Sequence, residues 1–120
     1  MKKMNYGRII NVSSIAGRHR SISSGIHYVS SKAGVIGLTR QLSFELGPHG
    51  INVNAVCPSQ TYTKMLSDTM TSQQQEKLAS LIPLRRIAGV DEQVGPIMFL
   101  CSSAASYING AVIDVNGGQI

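Results

Sequence analysis

The chain has 120 residues, of which 42% are hydrophobic, 14% charged and 5% aromatic, and its formal net charge is +5. That length suits a single domain, the sparse charge argues against intrinsic disorder, and four Tyr, two Phe and no Trp argue against stacking platforms for single-stranded nucleic acid. No apolar run reaches the ~20 residues that span a bilayer, and Cys57 and Cys101 lie in apolar surroundings outside any CxxC spacing, which reads as reduced, buried thiols of a cytoplasmic protein.

The positive charge sits at one end. Lys2, Lys3, Arg8, Arg18, Arg20, Lys32 and Arg40 fall within residues 1–40 with no acid among them, whereas the remainder is slightly acidic. A basic, Ser-rich opening also describes a mitochondrial presequence, but the strand-like run from Arg8 to Val12 does not fit one. A nucleic-acid patch is the other sharp reading, and a solvated or subunit-facing surface the plainer one.

In chain order, Gly7 to Ser13 is a short apolar run bounded by Gly and Ser, which predicts a buried strand. Gly17 to Gly25 reads as a loop. From about His27 to Leu46 a helical period takes over, with Val35, Leu38, Leu42 and Leu46 forming one apolar stripe and Gly47-Pro48 stopping it. Ile51 to Cys57 alternates apolar and polar up to Pro58, as a strand does. Residues 59–88 are mixed, with a helix near Ser72–Leu81 capped by Thr71 or Ser72. Asp91 is a plausible N-cap for a helix to about Ser102, with a bent or late start because of Pro96. Gly110 to Val115 is a third strand, closed by Gly117-Gly118. Strands alternating with helices predict an α/β fold with a parallel sheet and crossover helices.

The chemistry-bearing segment is Tyr28-Val29-Ser30-Ser31-Lys32. A Tyr and a Lys four residues apart share one helix face. An ammonium beside a phenol favours the phenolate and brings the group toward the range useful for general acid–base catalysis. Alone, such a pair is commonly a surface contact. Here Asn11-Val12-Ser13-Ser14 ends a strand shortly before it, and ligands of parallel α/β sheets sit at the carboxyl ends of strands.

With these pieces the sequence resembles the short-chain dehydrogenase/reductase family. The likeness rests on Asn11-Val12-Ser13-Ser14, Tyr28-x-x-x-Lys32-Ala33-Gly34, Gly50 through Pro58, Thr61-Tyr62-Thr63-Lys64-Met65, and Ile108-Asn109-Gly110 through Val115-Asn116-Gly117-Gly118, in that order. The resemblance implies a Rossmann-type doubly wound parallel sheet. It also implies a metal-free hydride transfer between NAD or NADP and a small-molecule carbonyl/alcohol pair. Tyr28 would exchange the proton, Lys32 would assist it and hold the nicotinamide ribose, and Ser14 would orient the substrate, with Ser13 the alternative. Pro58, Ser59, Thr61 and Thr63 would wall the nicotinamide together with Tyr28 and Lys32. Ser59 stands where the family usually has Gly.

The family's cofactor-binding Thr-Gly-x-x-x-Gly-x-Gly, its Asn-Asn-Ala-Gly segment and the helix asparagine of its catalytic tetrad do not occur in this sequence. The expectation is therefore that residues 1–120 are the catalytic and C-terminal half of such an enzyme, about three strands with crossover helices, inactive alone. A non-catalytic remnant that associates with related subunits through an open sheet edge is the alternative. The full-length form would be a homo-oligomer through the 28–47 helix, where Gly34 and Gly37 would allow close approach, and the last strand; no nucleic-acid or membrane partner is expected. The Arg18-His19-Arg20 loop reads as solvated, or as meeting an acidic substrate or carrier. Residues 64–82, rich in Met and Leu, fall where the family has its variable substrate lid.

Overall fold

The computed structural model describes residues 1–21 and 24–120. Three strands, β1 (Gly7–Val12), β2 (Ile51–Pro58) and β3 (Val112–Val115), form one parallel sheet in the order β1-β2-β3. The register runs from Gly7 opposite Ile51 to Val12 opposite Val56, and from Ala55 opposite Val112 to Pro58 opposite Val115.

The central strand carries the core. Val53, Ala55, Val56 and Cys57 are fully buried, as a strand covered on both faces must be. Side chains alternate, so Val56 packs on Leu100 and Ala105 with Ile10 and Ile113 beside it, while Asn11 on the other face reaches the Thr39 hydroxyl at 2.9 Å. Leu100 belongs to α5 (Val90–Cys101) and Thr39 to α2 (Ile26–Leu46), so the sheet lies between helices.

The face that α2 turns to the sheet differs from the apolar stripe expected. Thr39 and Ile36 are buried, whereas Leu38 is 52% exposed. Thr39 can be buried because its hydroxyl donates to the Val35 carbonyl at 2.8 Å, so no polar group is orphaned. The helix ends at Leu46 and continues as a 3-10 turn, Gly47–His49. The reversal into β2 comes at Gly50, which adopts φ +66 and whose Cβ would collide with the Asn5 carbonyl.

The polar positions of β2 do not face water. Asn54 is buried: its Nδ2 donates to the Ile108 carbonyl and its Oδ1 accepts the Ala111 N–H, at 2.9 Å each. Asn52 donates to the Ser106 and Ile108 carbonyls and accepts from Arg8. Asn109 accepts the Val53 N–H and donates to the Ser43 carbonyl. These amides supplement the backbone bonds ahead of β3, Gly110 N–H to the Val53 carbonyl and Ala55 N–H to the Ala111 carbonyl; β3 itself is shorter than the run from Gly110 suggested.

Other elements depart from the sequence expectations in small ways. A four-residue helix, α1 (Ile15–Arg18), opens the segment expected as a loop; Ile22 and Ser23 of that segment lie outside the described residues. An additional short helix, α3 (Lys64–Thr69), is capped by Thr63, and α4 (Ser72–Ser80) carries a Thr71–Gln74 capping box. The N-cap of α5 is Gly89, not Asp91, because the Glu92 carboxylate folds back to accept the Gly89 N–H at 2.8 Å; the helix then runs through Pro96. Cys101, expected to be buried, is exposed at the end of α5, while Cys57 is buried as expected.

Candidate active site

In a parallel sheet every strand ends on the same side, and here the three exits converge. Ser14 follows β1, Ser59 and Gln60 follow β2, and Gln119 follows β3; all four line one cavity of about 410 Å³. Tyr28, from the first turn of α2, completes the wall. This is the carboxyl edge at which open α/β sheets take their ligands.

The two adjacent serines have different surroundings. Ser13 is buried, and its hydroxyl donates to the Lys32 carbonyl at 2.7 Å. Ser14 is the N-cap of α1: its oxygen accepts the Ala16 N–H at 3.1 Å, which leaves its proton free to donate into the cavity. The β1 exit thus ties α2 down with one serine and presents the other.

Lys32 is held from several directions. Its ammonium donates to the Val12 carbonyl at 3.1 Å and lies 5.7 Å from the centre of the Tyr28 ring. Its backbone passes so close to Gly17 that a Cβ there would lie 2.6 Å from the Lys32 carbonyl carbon. Glycine at position 17 lets α1 approach α2, and that approach sets where Tyr28 and Lys32 stand relative to Ser14.

The remaining cofactor-contact candidates are less tightly grouped. Ser59 lines the cavity and also a second one of about 190 Å³ bounded by Arg86, Glu92 and Asn116. Pro58 ends β2 opposite Val115. Thr61 bridges to Ala88 and its hydroxyl donates to the Ser59 carbonyl, while the Thr63 hydroxyl is engaged as the cap of α3. Pro58, Thr61, Thr63 and residues 64–82 do not line the main cavity in this conformation. Met65 and Leu81 of the expected lid are exposed.

Burial pushes the Cys57 thiol up from its ordinary value, outweighing the Ser13 hydrogen bond that opposes it. That makes Cys57 an inert core thiol beside the site. Among the described residues no group of three or more His, Cys, Asp or Glu side chains is placed to hold a metal.

A family profile described as enoyl-(acyl carrier protein) reductase matches residues 1–119. The chain belongs to the short-chain dehydrogenase/reductase family. Its sheet is a Rossmann-type sheet. The protein FixR of Bradyrhizobium diazoefficiens is 45% identical over 113 residues, which cover 94% of this chain and 39% of that protein. The 3-oxoacyl-[acyl-carrier-protein] reductase FabG of Aquifex aeolicus is 41% identical, over 99% of this chain and 47% of its own. A crystal structure of 3-oxoacyl-[acyl-carrier protein] reductase from Brucella melitensis superposes with a TM-score of 0.95 at 32% identity, covering 100% of this chain and 45% of that one. The chain thus spans about half the length, or less, of these relatives.

Three features of this short-chain dehydrogenase/reductase site escaped the sequence. Gln60 and Gln119 line the cavity, and their side-chain oxygens are buried with no partner among the described residues. Arg18 forms an ion pair with Asp114 at 2.9 Å, joining α1 to β3. Residues 96 positions apart in a basic loop and a strand carry no local pattern that links them; only the sheet order does.

Proposed function

We propose that residues 1–120 form the catalytic and C-terminal half of a Rossmann-type domain in an NAD(P)-dependent oxidoreductase that interconverts a small-molecule carbonyl and an alcohol. The observation that carries this reading is the convergence of Ser14 and Tyr28 on one cavity at the strand exits, with the Lys32 ammonium 5.7 Å from the Tyr28 ring.

A nicotinamide cofactor, when bound, supplies the hydride to the carbonyl carbon or takes it from the alcohol. The residues present suit its nicotinamide–ribose end: Lys32 keeps N–H donors beyond the one it gives to Val12, and Ser59, Gln60 and Gln119 add polar groups around Tyr28. They do not include a glycine-rich turn between a strand and a following helix, so the pyrophosphate would be held by protein outside residues 1–120. Bound NAD in a solved Brucella melitensis 3-oxoacyl-[acyl-carrier protein] reductase and bound NADP in ElxO support this cofactor class.

The chain's own residues handle the oxygen. Ser14 donates a hydrogen bond to the carbonyl oxygen, and the Tyr28 phenol gives that oxygen its proton as the carbon gains the hydride, so an alcohol results. In the reverse direction the phenolate takes the proton back. Lys32, anchored on Val12, holds positive charge beside the phenolate throughout. Pro58, at the end of β2, and Thr61 and Thr63, on the segment after it, would wall the nicotinamide, a role that requires this segment to move toward the cavity.

The whole protein would work as a homo-oligomer in the cytoplasm, a reading supported by the exposed Ile26, Leu38 and Phe44 of α2. Among the described residues no helix is long and apolar enough to cross a membrane.

Two measurements test the proposal. Nicotinamide mononucleotide, added to the 120-residue chain, should shift NMR signals of Tyr28, Lys32 and Ser59 and leave Cys101 unmoved; the absence of any shift at Tyr28 would count against the site. The chain alone should show negligible NAD(P)H-dependent carbonyl reduction. Turnover by the pure chain that disappears in Tyr28→Phe would sink the half-domain reading while keeping the catalytic one.

A further inference from the structure

The cavity beside Tyr28 has a charge of its own. Arg20 and His19 line it, and no Asp or Glu side chain does. Arg18, two residues earlier, is neutralised by Asp114. Arg20 has no hydrogen bond or ion pair among the described residues. The three basic residues of this segment therefore divide into one that holds the fold together and two that face the space where the substrate carbonyl would lie.

The cavity is polar: Ser14, Ser21, Ser24, Ser59 and Gln60 line it together with Tyr28. Arg20 and His19 are exposed, so a ligand in the cavity reaches the guanidinium directly. A guanidinium recognises a planar carboxylate through two parallel hydrogen bonds, a geometry no neutral carbonyl compound offers. A volume of about 410 Å³ holds a compact molecule.

We propose that Arg20 recognises an anion and that the cavity takes a small oxo acid or hydroxy acid: the reacting oxygen lies at Ser14 and Tyr28, and the carboxylate lies on the Arg20 guanidinium with His19 beside it. The proposal rests on reading this cavity as the carbonyl site, and it names the substrate class of that site. Two-point attachment sets which carbonyl of a dicarbonyl compound meets Tyr28, because the carboxylate fixes the other end.

The test compares acetoacetate with its neutral methyl ester, binding being followed by NMR shifts of Tyr28 and His19. Acetoacetate should bind more tightly than the ester, and the difference should shrink as ionic strength rises. Arg20→Gln should weaken acetoacetate about tenfold or more and leave the ester unchanged, Arg20→Lys should recover part of the loss, and Arg40→Gln, on an exposed position of α2, should change nothing. Equal binding of the two probes, or an Arg40 effect as large as the Arg20 effect, overturns the proposal. Tyr28→Phe separates it from the catalytic reading. In the full-length protein, loss of turnover with retained, Arg20-dependent acetoacetate binding supports both. An anion preference that depends on Arg20, in a full-length protein that reduces no carbonyl with either NADH or NADPH, leaves the anion site standing and removes the reductase.

Discussion

The two ends of the sheet treat buried polar groups in opposite ways. At the amino end, Asn52, Asn54 and Asn109 use both the oxygen and the nitrogen of each amide to tie β1, β2 and the approach to β3 together. At the carboxyl end, atoms of Gln60, Gln93, Asp114, Asn116 and Gln119 are buried with no partner among the described residues, against Arg8 Nε at the amino end. Folding alone would select the first arrangement, since each orphaned buried group is destabilising. Unsatisfied groups gathered at the strand exits mark the end of the molecule shaped for something other than its own stability.

The largest effect should come from breaking the satisfied end. Asn54→Ala leaves the Ala111 N–H unpaired in the core, while the Ile108 carbonyl keeps only Asn52, and should cost about 2–3 kcal/mol in urea unfolding. Gln119→Leu, which removes an orphan from the other end, should fall within about 0.5 kcal/mol of the parent. Equal losses at the two positions would erase the distinction.

Next comes the backbone contact that organises the unsatisfied end. Gly17→Ala drives a Cβ into the Lys32 backbone, which cannot rotate away, and should cost about 1–3 kcal/mol while displacing the Tyr28 NMR signals. Gly37→Ala tests a position belonging to neither end. A Cβ there meets nothing within 4 Å in the chain itself, so the better helix former should stabilise the chain by about 1 kcal/mol. A loss instead would mean that another subunit packs against that turn.

The smallest effect concerns the ion pair on the second cavity. The Arg86 guanidinium, aided by the Gly89 N–H, holds the Glu92 carboxyl at about 2, below its ordinary 4.5. A carboxyl lowered in the folded state contributes its stabilisation above the unfolded value and loses it as pH falls through the folded one. The first turn of α5 should therefore be intact above pH 4.5 and loosen as pH falls toward 2, followed by amide exchange at Gly89 and Glu92. Glu92→Gln should remove that dependence. The pair is exposed to solvent and salt should screen it.

Much of the fold was legible from short-range pattern. The strand of β1, the length of α2, the buried run of β2 and the Thr71 cap of α4 follow from apolar period, Gly and Pro punctuation and capping chemistry, all of which act within a few residues. Tyr28 and Lys32 were legible for the same reason, since an i, i+4 pair shares a helix face wherever the helix goes. Thr39 and Leu38 were misjudged because residue polarity is a poor guide to burial when a hydroxyl can bond to its own helix. Cys101 was misjudged because the run around it is apolar on a face that the chain leaves uncovered.

What the sequence determined by itself was the list of elements, the family, and the placing of Tyr28 and Lys32 on one helix face. The tertiary structure decided which serine faces the cavity, which arginine is consumed by Asp114 and which stays free, and that Gln60 and Gln119 meet at one site. Those outcomes depend on where three strand exits lie relative to one another, and that placement comes from sheet order and packing across dozens of residues, which no local pattern encodes.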